Sequence, residues 1–276
     1  MNGITKKLSA GILAAGLSLL PLQGLAAPLE VPAHGIVLSD AEKQAYISEK
    51  MTAFFGQNFS KPQPTFTAPD GWHWTRFKIG NVPVERMRAE TKESDRVILQ
   101  LHGGGYILGM SNGHRLLALR QAVLTRASEV YYVEYRLAPQ HVYPAALEDA
   151  VTVYPRLLAR GIEPQNIILV GDSAGGNLAL ELVLYLKEHN IAQPAVLALA
   201  SPWASLESDF VSRTANAAKD QILGEGTPLY EAVGDAAYAG ALPREDARLS
   251  PLHADLSGLP PMLIQTGGNE IFLTEN

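Results

Sequence analysis

The chain has 276 residues, of which 47% are hydrophobic and 18% charged, and its net charge is −6. That composition excludes a disordered, collagen-like or coiled-coil chain, and the acidic balance leaves no basic footprint for nucleic acid. Cysteine is absent, which removes disulfides, thiolate metal sites and a nucleophilic thiol and leaves chemistry to Ser, His, Asp and Glu.

Residues 1–26 read as a signal peptide. Lys6 and Lys7 form the positive end, Leu8 to Leu20 carry no charge, and Gly24 and Ala26 place small residues at a cleavage site. Pro21 ends the apolar run before it reaches the roughly 20 residues a spanning helix needs. The expectation is export, to periplasm or medium, with no stable membrane span after cleavage. Residues 27–276 then read as one domain. Ser39-Asp40 before AEKQAYISEKMTAFFGQ reads as the start of an amphipathic helix capped by Asp40. Lys61 to Asp70, with three prolines, reads as an irregular linker.

From there apolar strands and helices alternate. Strands are expected at Arg96–Gly104, Val130–Arg136, Asn166–Ser173, Ala195–Ser201 and Pro261–Gly268. Helices are expected at His114–Ser128, Ala146–Gly161 and Asn177–His189. Near-continuous apolar strands alternating with helices imply a mostly parallel sheet covered on both faces. The stretch Trp203 to Leu259 breaks the rhythm with alanine-rich helical pieces and no strand. An excursion of that length is expected to lie over the sheet as a cap, made of about residues 203–245 together with about 37–60.

Two motifs carry chemistry. Gly171-Asp172-Ser173-Ala174-Gly175 has the form G-x-S-x-G between an apolar strand and a helix. A serine on such a strand-to-helix turn is pushed out at the top of the sheet, beside the positive end of the helix. His102-Gly103-Gly104-Gly105 also follows a strand, and its glycines let backbone amides approach an oxyanion. A phosphate loop does not fit, because no Lys-Ser/Thr pair follows and G-x-G-x-x-G is absent. No H-E-x-x-H or clustered histidine occurs, so neither a metal nor a cofactor is expected.

HGGG and GDSAGGN, with YRLAPQH at Tyr135–His141, YPAALEDA at Tyr143–Ala150, SPL at Ser250–Leu252 and DLSGLPPMLIQTGG at Asp255–Gly268, resemble the hormone-sensitive-lipase-like branch of the α/β-hydrolases. The resemblance runs from about Val97 to the last residue. It implies a capped α/β-hydrolase fold and hydrolysis of small carboxylic esters, usually short-acyl ones, through an acyl-enzyme on Ser173. It assigns the oxyanion hole to the amides of Gly104, Gly105 and Ala174, a supporting role to His102, and bracing of the sheet to Arg136 and Asp149.

The resemblance also sets an expectation that the chain does not fill. A serine hydroxyl needs a base, and the base needs an acid, in the chain order Ser, acid, His. The acid belongs after PMLIQTGG, where Asn269 and then Glu270 stand; Glu270 serves if the loop turns it inward. The family places its histidine beyond a further helix and strand, and Asn276 comes too soon after Glu270 for either. Two readings follow: an exported esterase whose last helix and strand are missing here, or a non-catalytic ligand-binding or inactive homologue without the triad histidine, as in the plant gibberellin receptors. In the first, the strand ending at Gly268 lacks an outer neighbour and becomes an exposed apolar edge.

Overall fold

The structure is a computed structural model. It describes Ser39, Glu42, Ala45, Tyr46 and Glu49, and then residues 65–276 apart from Pro228. The signal segment, His34, Asp40 and most of the expected 37–60 cap element lie outside the described residues. Glu42, Ala45, Tyr46 and Glu49 are helical. The cap formed there is a reciprocal one on Ser39: its hydroxyl accepts the Glu42 amide at 3.3 Å and the Glu42 carboxylate accepts the Ser39 amide at 2.8 Å.

Seven strands form one sheet: β1 (Trp72–Ile79), β2 (Val82–Ala89), β3 (Val97–Leu101), β4 (Glu129–Val133), β5 (Ile167–Asp172), β6 (Val196–Ala200) and β7 (Met262–Gln265). Their spatial order is β1-β2-β4-β3-β5-β6-β7. β1, β2 and β4 pair antiparallel, and β4, β3, β5, β6 and β7 are parallel. The β1–β2 hairpin is an addition to the sequence reading. It turns on Gly80-Asn81, with Ile79 opposite Val82 and Gly80 at φ +61°, a backbone that glycine adopts without strain.

Within residues 65–276 the described α-helices are α1 (Asn112–Thr125), α2 (Ala145–Leu158), α3 (Ala174–Glu188) and two short ones, α4 (Val211–Ala215) and α5 (Tyr230–Asp235). Alternate residues of each central strand serve opposite cores. Leu99, Val133 and Leu169 join Tyr154 of α2 and Leu178 and Leu182 of α3 on one face. Ile98, Val130, Tyr132 and Val170 join Ala118, Leu119 and Ala122 of α1 on the other. Each such fully buried large side chain is worth about 1.5–3 kcal/mol relative to exposure, so both faces of the sheet are fixed by burial.

The strands and helices expected between Arg96 and Gly268 are present with shifted ends. α1 starts two residues early because Ser111 caps it through the His114 amide, and α3 starts directly after Ser173. Among the described residues of the Trp203–Leu259 excursion there is no strand. Beyond α4 and α5 it holds two single 3-10 turns, and it packs Trp203, Leu206, Tyr238 and Leu249 into the main core. β7 pairs with β6 and leaves Leu263 and Ile264 exposed. No helix among the described residues is long and apolar enough to cross a membrane.

Candidate active site

Because β3 and β5 are parallel neighbours, with Leu101 opposite Gly171, the segments that follow them emerge together at one end of the sheet. Ser173 stands where β5 becomes α3, at φ +51° and ψ −121°. A non-glycine residue in this region carries of order 1–3 kcal/mol of strain and persists only when its surroundings hold it. Here they do: its amide donates to the Ala200 carbonyl at 3.0 Å, and its carbonyl accepts the amides of Gly176, Asn177 and Trp203 at 2.9–3.1 Å.

The motif glycines are required by contact. A Cβ on Gly175 would lie 2.1 Å from the Leu101 carbonyl oxygen, one on Gly171 would lie 2.3 Å from the Gly175 oxygen, and one on Gly103 would lie 2.2 Å from Asp172 Oδ2. The two loops therefore touch backbone to backbone. Gly104 and Gly105 take φ +121° and +62°, and the Gly104 carbonyl turns back to accept the amides of Ile107 and Leu108 at 3.1 and 2.9 Å. Among the described residues, the amides of Gly104, Gly105 and Ala174 and the hydroxyl of half-buried Ser173 form no hydrogen bond.

His102 is 1% exposed, with Nδ1 donating to the Gly103 carbonyl at 2.8 Å and its ring stacked on Tyr135 at 4.2 Å. Burial, aided by the neighbouring His114 charge, lowers its pKa to about 4, so it is a neutral brace, in keeping with the supporting role the resemblance assigns. The sequence reading missed three further supports. Asp172 accepts the Gly103 amide at 3.1 Å and faces His114 Nε2 at 3.6 Å. Burial pushes its carboxyl up, but the charge and hydrogen bond of His114 outweigh this and hold it below the usual range. Tyr106 donates to Asn177 Oδ1 at 2.6 Å and stacks on Tyr238 at 3.7 Å. Asn177 in turn donates to the carbonyls of Trp203 and Leu249. Asp172 and Asn177 stand inside and beside the G-x-S-x-G motif, and that nearness is the signal that could have found them. Arg136, three residues beyond the end of β4, pairs with Asp149 at 3.0 Å.

After β7 the chain turns so that Asn269 is exposed and Glu270 half-buried. Thr266 Oγ1 donates to Glu270 Oε2 at 3.2 Å, and Ser201, which follows β6, lies near the same carboxylate. Burial raises the Glu270 pKa, and the Asp220 charge adds to the rise. None of the described histidines is bonded to Ser173: His73 faces Glu90, His253 pairs with Glu207, and His189 Nδ1 meets the Tyr185 carbonyl. Among the described residues, no group of three or more His, Asp or Glu side chains could hold a metal ion.

Residues 98–276 match the sequence family described as alpha/beta hydrolase fold. The chain belongs to that family. Among similar proteins is an esterase of Acinetobacter venetianus, 38% identical over 205 residues, which cover 72% of this chain and 65% of the relative. An acetyl-hydrolase of Streptomyces hygroscopicus is 37% identical over 193 residues, 70% of this chain and 63% of the relative. The aligned region thus spans a little under two thirds of these curated relatives. A crystal structure of an esterase from the bacterial hormone-sensitive lipase family superposes with a TM-score of 0.70 at 30% identity, covering 95% of this chain and 79% of that one. This α/β-hydrolase therefore falls in the hormone-sensitive-lipase-like branch.

Proposed function

We propose that this α/β-hydrolase is an exported serine ester hydrolase that cleaves short-acyl carboxylic esters through an acyl-enzyme on Ser173. One observation carries the reading: a serine held in a strained turn beside three amides without partners, those of Gly104, Gly105 and Ala174. The relatives' names, esterase and acetyl-hydrolase, support the ester class and a small acyl group.

Ser173 Oγ attacks the ester carbonyl as its proton passes to an imidazole. The carbonyl oxygen becomes an oxyanion and receives the three N–H groups, which need no reorganisation at that moment. Collapse expels the alcohol, which takes the proton back, and water releases the acid by the same route. Glu270 is the acid that orients the imidazole and stabilises its cation; its inward turn beside Thr266 and Ser201 supports that role over the exposed Asn269. The imidazole itself belongs to none of the described histidines. Export rests on the N-terminal segment's charge and apolar pattern.

The test is hydrolysis of a p-nitrophenyl ester series by the full-length protein and by its Ser173→Ala variant. The expected result is fastest turnover on acetate and butyrate and a loss of about 10⁴-fold or more in kcat in the variant. Equal rates for the two proteins would overturn the assignment, and ligand binding without turnover in either would favour the non-catalytic reading.

A further inference from the structure

The excursion between β6 and β7 reaches across to the loop that carries Glu270 and grips it. Asn216 Nδ2 donates to the Gly268 carbonyl at 3.3 Å and to the Glu270 carbonyl at 2.9 Å. Asp220 Oδ2 accepts the Ile271 amide at 2.9 Å, while its Oδ1 accepts the amides of Ile222 and Leu223 and so anchors the carboxylate in its own turn. Ser212 Oγ donates to the Ile271 carbonyl at 2.7 Å and accepts the Thr274 amide at 3.1 Å. Arg213 closes the row by pairing with Glu275 at 2.6 Å.

These groups are out of water: Ser212, Asn216 and Asp220 are 2%, 6% and 7% exposed. A buried peptide group left without its partner is costly, so each contact holds the loop where it is. The peptide unit after Glu270 is thus fixed at both its carbonyl and its amide from outside the loop, and the Gly268 carbonyl two residues earlier is held as well, by residues remote in the chain. The direct partner of the carboxylate, Thr266, belongs to a different set. Backbone placement and side-chain bonding of Glu270 are therefore separable.

We propose that Asn216 and Asp220 are positioning residues that set the place of the Glu270 carboxylate, so that the excursion between β6 and β7 builds part of the active site. The proposal rests on the reading of Glu270 as the triad acid. Misplacing a catalytic group by an ångström costs roughly 10²-fold in rate, and that loss should fall on kcat, because neither side chain is offered to the ester.

The experiment is a double-mutant cycle on the full-length protein with p-nitrophenyl butyrate. Asn216→Ala and Asp220→Asn are each expected to lower kcat by about 10- to 100-fold with KM within about twofold. In a Glu270→Gln background the same changes are expected to cost nothing further, because they act through that carboxylate. Equal losses in both backgrounds, or no loss in either, would overturn the proposal while leaving the acid assignment intact. A Glu270→Gln variant as fast as the parent would instead overturn the acid assignment and the proposal with it. If one variant is too unstable to purify, the other carries the cycle. If neither folds, the two side chains serve the fold and not the carboxylate, and the proposal fails.

Discussion

Gly175 has no room for a methyl group, and this makes the touching loops testable one residue at a time. Gly175→Ala would place carbon 2.1 Å from the Leu101 carbonyl oxygen, where only backbone can yield. A loss of about 1–3 kcal/mol or more is expected in urea denaturation. Gly234→Ala, in α5 with nothing within 4 Å, is expected to be neutral or slightly stabilising. Equal effects would contradict the close contact. Two buried groups give the stability an opposed pH dependence. His102, held down to about 4 by burial, binds fewer protons folded than unfolded between about 4 and its ordinary 6.5. Its contribution is therefore full above pH 6.5 and is lost as the pH falls toward 4. Glu181 is 3% exposed, has one carboxylate oxygen without a partner, and is pushed well above the usual carboxyl range by burial. Folded, it holds its proton beyond the pH at which the unfolded chain releases it, so stability falls as pH rises past its ordinary 4.5, by up to about 1.4 kcal/mol per unit. Glu181→Gln should therefore gain on the parent protein between pH 6.5 and 8, as read from urea midpoints; parallel curves would contradict it.

The parallel strands, their helices and the two glycine motifs were legible because each is written in contiguous residues: an apolar run, then a turn residue type, then helical spacing. The hairpin β1–β2 was not, although Gly80-Asn81 marks its turn. Its strands carry Arg76, Lys78, Glu85, Arg86 and Arg88, which mask the alternation of the buried positions. The reason those charges are tolerated lies on another element. Glu85 of β2, 1% exposed, is bonded by both Nε and a terminal nitrogen of Arg115 of α1 at 2.6 and 2.8 Å, and by Arg76 at 2.7 Å. Arg115→Met leaves that buried carboxylate to Arg76 and Trp74 and should cost about 1–3 kcal/mol. Adding Glu85→Leu should recover most of the loss, because the under-paired buried charge is then gone. Additive losses in a urea-denaturation cycle would contradict this account of how the hairpin docks.

At the scale of the whole molecule, the candidate site is a meeting of three segments brought to one end of the sheet by its parallel order. Two of them, the glycine loop and the serine turn, are legible in the amino-acid sequence alone. The third is legible in place but not in detail: the inward turn of Glu270 depends on a loop held by Asn216 and Asp220. Those partners sit in a stretch whose local pattern says only that it is helical and alanine-rich. Ser201 and Thr266 are likewise hidden, since a hydroxyl beside a carboxylate leaves no trace in periodicity.

The central claim is that the Ser173 hydroxyl and the amides of Gly104, Gly105 and Ala174 act on one carbonyl. A crystal structure of the full-length protein after reaction with a p-nitrophenyl phosphonate tests it most directly. The account predicts phosphorus bonded to Ser173 Oγ, with the phosphonyl oxygen about 2.7–3.1 Å from the three nitrogens. Phosphorus on another residue, or that oxygen turned away from the glycine loop, would contradict it.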